Sequence, residues 1–236
     1  MRVLIDPGHA GSRYNAGVVP GYYESNMTWE LAGYLKTALE SKGIEAALTR
    51  QNKNDDPEVY ERGRMAAGFD LFVSLHSNAC GTESVDRVEV YKPLNGSADD
   101  LAATLADVVA KTMNVREGRT AIRVYPNRPG VDYYGVIRGA VSVGVPGLLI
   151  EHSFHTNKAA CAFLMQSDNL KALANVEAAA IAENYGVTGT TSKPSNPGTL
   201  YRVQVGAFAV KQNAENCLAK CKAAGFNDAF IVTVSK

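Results

Sequence analysis

The chain has 236 residues, enough for one medium-sized domain with its own core plus a small appendage. Lys+Arg and Asp+Glu number 24 each, so no bulk charge draws the chain to nucleic acid or to an acidic membrane surface. No apolar stretch reaches the roughly 20 residues that a membrane-spanning helix needs, so no membrane insertion is expected.

In chain order, Met1-Arg2 runs into a short apolar strand at 3–5 that stops at Asp6-Pro7-Gly8. A secretory signal needs a longer apolar region and a small-residue cleavage site. The expectation is a protein made in the cytoplasm without a signal peptide, acting elsewhere only after release. Residues 26–41 predict a helix with Met27, Leu31, Leu35 and Ala38 along one stripe and Gly43 past its end. A second strand is expected at 46–49. Asp56-Pro57 opens a helix running through Ala67, with proline at its first position. Strands follow at 71–75 and, in a flanking place, at 88–91. Ser97 caps a helix whose stripe is Leu101, Leu105, Val108 and Thr112. The rest of the segment 81–146 reads as loop. A strand at 147–150 and helices at 159–165 and 170–185 complete the unit. Short apolar strands alternating with amphipathic helices imply an α/β fold: a twisted, mostly parallel sheet flanked by helices.

Residues 186–199, GVTGTTSKPSNPGT, have almost nothing to bury and read as a linker. They divide a domain at 1–185 from a tail at 200–236. The cysteines Cys80, Cys161, Cys217 and Cys221 lack CxxC spacing and read as reduced, mostly packed thiols.

Three strands end in groups able to bind metal or move protons. The first leads to His9, the strand at 71–75 to His76, and the strand at 147–150 to Glu151. In open α/β sheets, ligands bind beyond the carboxyl ends of the strands, so parallel neighbours would bring these three together. Glu24 lies just before the helix after the first strand, and its loop starts at the same sheet edge. Two imidazoles and one carboxylate suit a catalytic zinc with one open position. A second carboxylate would then carry the proton from water to a leaving nitrogen. Spacing alone does not separate this from structural histidines and a helix-start Glu24 favoured by the dipole.

Asp6-Pro7-Gly8-His9-Ala10-Gly11, Glu24, Thr49-Arg50, Ser74-Leu75-His76-Ser77-Asn78-Ala79 and Glu151-His152-Ser153-Phe154-His155-Thr156-Asn157 follow one another in the chain. In that order they resemble the N-acetylmuramoyl-L-alanine amidase type 3 family, over residues 2 to about 185. The resemblance implies a Zn2+-dependent peptidoglycan hydrolase that cleaves the amide between N-acetylmuramic acid and L-alanine. It implies that His9, Glu24 and His76 hold the zinc and that Glu151 is the catalytic carboxylate. His152 and His155 stand where the family has apolar residues, and both are expected at the cleft rim. Asn78 and His152 are candidate substrate contacts.

The tail reads as strand, helix, strand. Tyr201, Val203 and Val205 face one way. Ala214, Cys217, Leu218 and Cys221 form the helix stripe, Gly225 ends the helix, and 230–232 closes the unit. Tyr201-Arg202-Val203-Gln204-Val205-Gly206-Ala207-Phe208 resembles the opening of a SPOR domain, a peptidoglycan-binding module, with Arg202 and Gln204 as exposed glycan contacts. Only half of such a module is present, and a unit below about 40 residues rarely folds alone. Two chains are therefore expected to pair their tails edge to edge into a homodimer. The functional expectation is an endolysin or autolysin that meets the wall on phage lysis or mother-cell lysis. A zinc peptidase cutting within the stem peptide and a catalytically silent wall-binding protein are the alternatives.

Overall fold

The structure is a computed structural model that describes residues 1–187, 204–224, 226 and 229–233. It divides into two units, Met1–Thr191 and Ser192–Lys236, and the division falls within the segment 186–199.

The first unit runs β1 (Arg2–Pro7), α1 (Glu24–Ser41), β2 (Glu45–Leu48), α2 (Val59–Arg64), β3 (Leu71–Asn78), β4 (Val88–Tyr91), α3 (Asp99–Met113), β5 (Gly118–Ala121), β6 (Val124–Tyr125), β7 (Arg128–Asp132), α4 (Gly135–Ser142), β8 (Gly147–Phe154), α5 (Lys158–Leu164) and α6 (Ser167–Asn184). Six strands form one sheet in the order β2-β1-β3-β8-β4-β5. All its pairs are parallel except β4 with β8. The expected α/β fold with a mostly parallel sheet is the one found, and the four expected parallel strands are adjacent.

Successive side chains of a strand point to opposite faces, and the two faces here are unequal. Val3, Ile5, Val73, Leu75, Leu148 and Ile150 join the larger core, whose helices α1 and α3 both pack on α6. Leu4, Phe72 and Leu149 join a smaller core with Val136, Ile137 and Ala140 of α4. On that face α2 packs against α4 through two glycines. A Cβ on Gly63 would sit 2.1 Å from the Val136 carbonyl, and one on Gly139 would sit 2.1 Å from the Tyr60 carbonyl. Beyond Leu4, Phe72 and Leu149, residues of the same parity are Asp6, Ser74, His76 and Glu151. On this face the side chains become polar where the apolar cover of α4 ends.

Several expectations change at the level of elements. Helix α1 begins at Glu24, two residues early, so Glu24 sits in its first turn. Helix α2 begins after Pro57, because the Glu58 side chain accepts from the Tyr60 and Glu61 N–H groups and caps it. Helix α3 has no side-chain cap from Ser97. Its buried stripe continues through Val109 and Met113 rather than Val108 and Thr112. The segment read as loop holds β5, a separate β6–β7 hairpin and α4.

In the second unit, α7 (Lys211–Ala223) is the expected helix. Ala214, Cys217, Leu218 and Cys221 are, with Glu215, its less exposed residues. The expected strands are not formed at 204–208 or 230–232. A strand is stable only against a partner strand, and none pairs there among the described residues. Tyr201, Arg202, Val203 and Gly225 lie outside the described residues. Gln204 is described and exposed.

Candidate active site

The turn after β1 carries His9 at φ 58°, a left-handed conformation uncommon for a residue with a Cβ. It is pinned from three sides. Arg50 Nη2 donates to the carbonyls of Pro7 (3.1 Å) and His9 (2.7 Å). Thr28 Oγ1 of α1 donates to the Gly8 carbonyl at 2.6 Å. Gly8 has no room for a side chain, since a Cβ there would lie 2.3 Å from the His76 ring. The backbone of one candidate ligand thus packs directly against the imidazole of another.

Glu24 stands between the two histidines. Its Oε1 lies 3.1 Å from His76 Nδ1 and accepts from the Ser77 N–H at 3.0 Å. Its Oε2 lies 3.4 Å from His9 Nε2 and accepts from Asn15 Nδ2 at 2.7 Å. Burial alone would raise this carboxyl. Hydrogen bonds to His76 and then His9, with electrostatic attraction to the two rings, outweigh it and hold Glu24 well below the usual carboxylate range.

The orientation of His76 follows from one hydroxyl. Ser74 Oγ donates its proton to Asp6 Oδ2 at 2.7 Å and lies 3.1 Å from His76 Nε2. With its proton spent, the hydroxyl can only accept, so His76 Nε2 donates to it and Nδ1 is the nitrogen turned toward Glu24. Asp6 is itself held by Thr49 Oγ1 (2.8 Å) and Arg62 Nη1 (3.4 Å). The donor atoms of His9, Glu24 and His76 all lie within 4.8 Å of one another. Two nitrogens and one carboxylate oxygen converging from separate elements fit a zinc ion, with a coordination position left over.

Glu151 pairs with His76 across β3 and β8 and with Glu89 across β8 and β4. It is buried and its Oε2 has no hydrogen-bond partner among the described residues. Burial first, then the negative charges of Glu24 and Glu89, raise its pKa well above the ordinary carboxylate value. A carboxyl in that condition is suited to exchanging a proton near neutral pH. Glu24 and Glu151 thus form a pair of carboxylates whose surroundings push them in opposite directions.

The expected rim positions of His152 and His155 are corrected. Being next to Glu151 in a strand, His152 points to the opposite face, into the main core, and is fully buried. Its Nδ1 donates to the His76 carbonyl at 2.9 Å, and its Nε2 lies 2.7 Å from Glu177 Oε1 on α6. No substrate can reach it. His152 instead ties the backbone of a candidate ligand to α6, and its neighbour in sequence, Glu151, gave the parity that would have revealed this. His155 is also buried, with Nδ1 2.9 Å from Ser77 Oγ and its ring stacked on Tyr22. Asn78 Nδ2 donates to Glu89 Oε2 at 2.9 Å, and its Oδ1 accepts from the Ala79 N–H. Its amide is occupied within the protein. Sequence reasoning missed Glu177, Ser74 and Asn15, which orient the histidines and Glu24.

Both members of the His152–Glu177 pair have no exposed side-chain surface. Removing one partner of a buried pair typically costs about 3–5 kcal/mol, because the other is left uncompensated. Glu177→Ala is expected to lose that amount in denaturant unfolding of the chain. Glu177→Gln, which keeps an acceptor, is expected to lose clearly less. Equal losses would remove the pair from the account of stability.

A model of the N-acetylmuramoyl-L-alanine amidase family matches residues 3–183. The chain belongs to this family. As an amidase of this family it is a peptidoglycan hydrolase. A SPOR domain model matches residues 167–234, beginning within α6. The sporulation-specific N-acetylmuramoyl-L-alanine amidase of Bacillus subtilis (strain 168) is 27% identical, over 96% of this chain and 83% of its own. The amidase CwlM of Bacillus licheniformis is 26% identical, over 98% and 85%. Among solved structures, Cwp6 from Clostridium difficile aligns with a TM-score of 0.68 at 26% identity, over 77% of this amidase and 29% of that chain. The catalytic domain of CwlV from Bacillus (Paenibacillus) polymyxa aligns with a TM-score of 0.67 at 23% identity, over 79% and 98%. That second likeness speaks for the fold.

Proposed function

We propose that this amidase is zinc-dependent, that His9, Glu24 and His76 hold the metal, and that Glu151 moves the proton when the bond between N-acetylmuramic acid and L-alanine is cut. The observation that carries this reading is the convergence of three donor atoms within 4.8 Å beside a buried carboxyl with an unpartnered oxygen. Zinc bound there would activate a water at about neutral pH and polarise the scissile carbonyl. Glu151 would accept a proton from the attacking water and return it to the leaving nitrogen, its oxygen being free to do so. Asn15, Ser74 and the backbone N–H of Ser77 would keep the ligands aimed, and the apolar floor formed by Leu4, Phe72 and Leu149 would exclude bulk water from below. Mass spectrometry of digested peptidoglycan tests the reading. Free L-alanine amino termini on intact stem peptides are expected, and new ends within the stem peptide would show a peptidase instead.

The domain scheme goes with this function: 1–185 as catalytic domain, 186–199 as linker and 200–236 as a wall-binding unit. The SPOR match supports wall binding by the tail, with Arg202 and Gln204 as glycan contacts. Action on the wall as an endolysin or an autolysin follows, and likeness to a sporulation-specific amidase favours mother-cell lysis. No helix of the described residues is long and apolar enough to cross a membrane.

The homodimer belongs to the same proposal. The tail has no buried residue on α7 and leaves Val205, Phe226 and Phe230 about 70% exposed. Apolar surface of that kind in so small a unit favours self-association. Light scattering is expected to give a dimer for the full chain and an active monomer for a chain ending at Tyr185. A full-length monomer at high concentration defeats the proposal.

A further inference from the structure

The hairpin β6–β7 and the start of α4 carry guanidinium groups of two kinds. Arg138 is used internally, its Nη1 donating to the carbonyls of Asp132 (2.9 Å) and Tyr133 (2.8 Å). Arg123 and Arg128 are exposed, and neither has a carboxylate within 4.0 Å among the described residues. By contrast, Arg87 and Arg119 nearby are both consumed by Glu89. Arg123 and Arg128 are nevertheless held in place. The Arg123 guanidinium lies 3.8 Å above the centre of the Tyr133 ring, and that of Arg128 lies 4.6 Å above Tyr125. Tyr125 and Tyr133 are in contact at 5.4 Å between centres. Stacking on a ring fixes the plane of a guanidinium while leaving its edge free for bidentate bonding to an anion.

This arrangement leads to the catalytic face. Tyr133 packs on Tyr134 at 5.4 Å, and Tyr134 on Tyr91 at 4.6 Å. Tyr91 donates to Glu89 at 3.1 Å, and Glu89 pairs with Glu151 across the strands. The Arg123 guanidinium also lies over the Tyr134 ring, 5.8 Å from its centre. An aromatic path therefore runs from Glu151 out to two unpaired, pre-oriented positive charges, in a chain whose net charge is zero. At the far end, Arg128 shares with Tyr60, Asp132 and Arg138 an open cleft of about 540 Å³.

We propose that Arg123 and Arg128 form an anion subsite that takes the free carboxylates of an acidic stem peptide whose first amide is at Glu151. The inference rests on the proposed cleavage at the amide next to L-alanine, because that places the remaining peptide, and its carboxylates, on one side of Glu151. Stem peptides differ in this respect: the second residue carries either a free carboxylate or its amide. A bidentate guanidinium–carboxylate pair distinguishes the two, since an amide presents one acceptor and no charge. The subsite thus makes the enzyme selective for non-amidated peptidoglycan.

The experiment compares two soluble muropeptides, identical except for a carboxylate or an amide at the second residue. The ratio of kcat/KM values, acid over amide, is measured for the full chain and for Arg123→Ala, Arg128→Ala and both lysine variants. The ratio is expected to exceed one and to fall about tenfold or more in each alanine variant, the usual range for a hydrogen bond to a charged group. The lysine variants, which keep charge but lose the stacked fork, are expected in between. Calorimetric binding of both muropeptides to a Glu151→Gln chain is measured in parallel. Absence of hydrolysis would sink the amidase mechanism, while the binding preference would still decide the subsite. An unchanged acid/amide ratio in the alanine variants overturns the proposal. So does a loss seen only on whole walls that carry phosphate polymers, which would assign the two arginines to wall phosphate.

Discussion

Stripping divalent metal from the chain is expected to abolish release of L-alanine ends from peptidoglycan, and stoichiometric zinc is expected to restore it. The expectation rests on Glu24. A buried carboxylate with an imidazole nitrogen at each oxygen, 3.1 and 3.4 Å away, already has the charge and geometry of a ligand set. The same reasoning reaches one residue further out. Because the Ser74 hydroxyl accepts from His76 Nε2 and donates to Asp6, Ser74→Ala leaves the ring free to change tautomer. Loss of such an orienting partner typically weakens metal binding about 10–100-fold. Zinc titration of the apo chain should therefore show Ser74→Ala binding in that weakened range and His76→Ala not binding at the site at all. Full lysis by a chain verified to be metal-free would remove zinc from the mechanism.

His9, His76 and Glu151 were legible as candidates because each follows a strand whose apolar run is unmistakable, and parallel neighbours put such ends together; Glu24 opens a helix instead, and the roles of all four came from the family resemblance. Residues 3–5, 71–75 and 147–150 are buried on both faces, so their patterns are nearly continuous and hard to misread. The hairpin and α4 were not legible. Gly118–Ala121 reads GRTA, and Arg128–Asp132 reads RPGVD, with no alternation to mark a strand. Helix α4 has eight residues and two glycines, one of them there because α2 comes into backbone contact with it. Such close packing removes the large apolar side chains that periodicity depends on. The supporting residues were hidden for another reason. Asn15, Ser74 and Glu177 are ordinary polar residues until the fold brings them beside a histidine. His152 was the exception: alternation along β8 places it on the face opposite Glu151, and a buried imidazole there requires a polar partner on the covering helix.

Replacing Glu151 by glutamine is expected to leave zinc binding intact and to lower kcat by about 10²–10⁴-fold, the usual contribution of a general acid–base group. The substitution nearly preserves volume, so the β3–β8–β4 pairing should persist, and it removes only the ability to take and return a proton. The fall should appear in kcat rather than KM, because the group acts on the transferred proton and not on the bound ground state. Stability gives an independent check. The wild-type carboxyl is buried with an unpartnered oxygen, facing Glu24 and Glu89, and its raised pKa means that folding disfavours its charged form. The native state therefore loses stability as pH rises above the unfolded-state carboxylate value and that form is demanded. A neutral amide escapes this penalty, so the apo Glu151→Gln chain should unfold at higher denaturant than the apo wild type at pH 7 while hydrolysing far less as the holoenzyme. Loss of zinc in the variant would make Glu151 a ligand, and undiminished turnover would remove it from the chemistry.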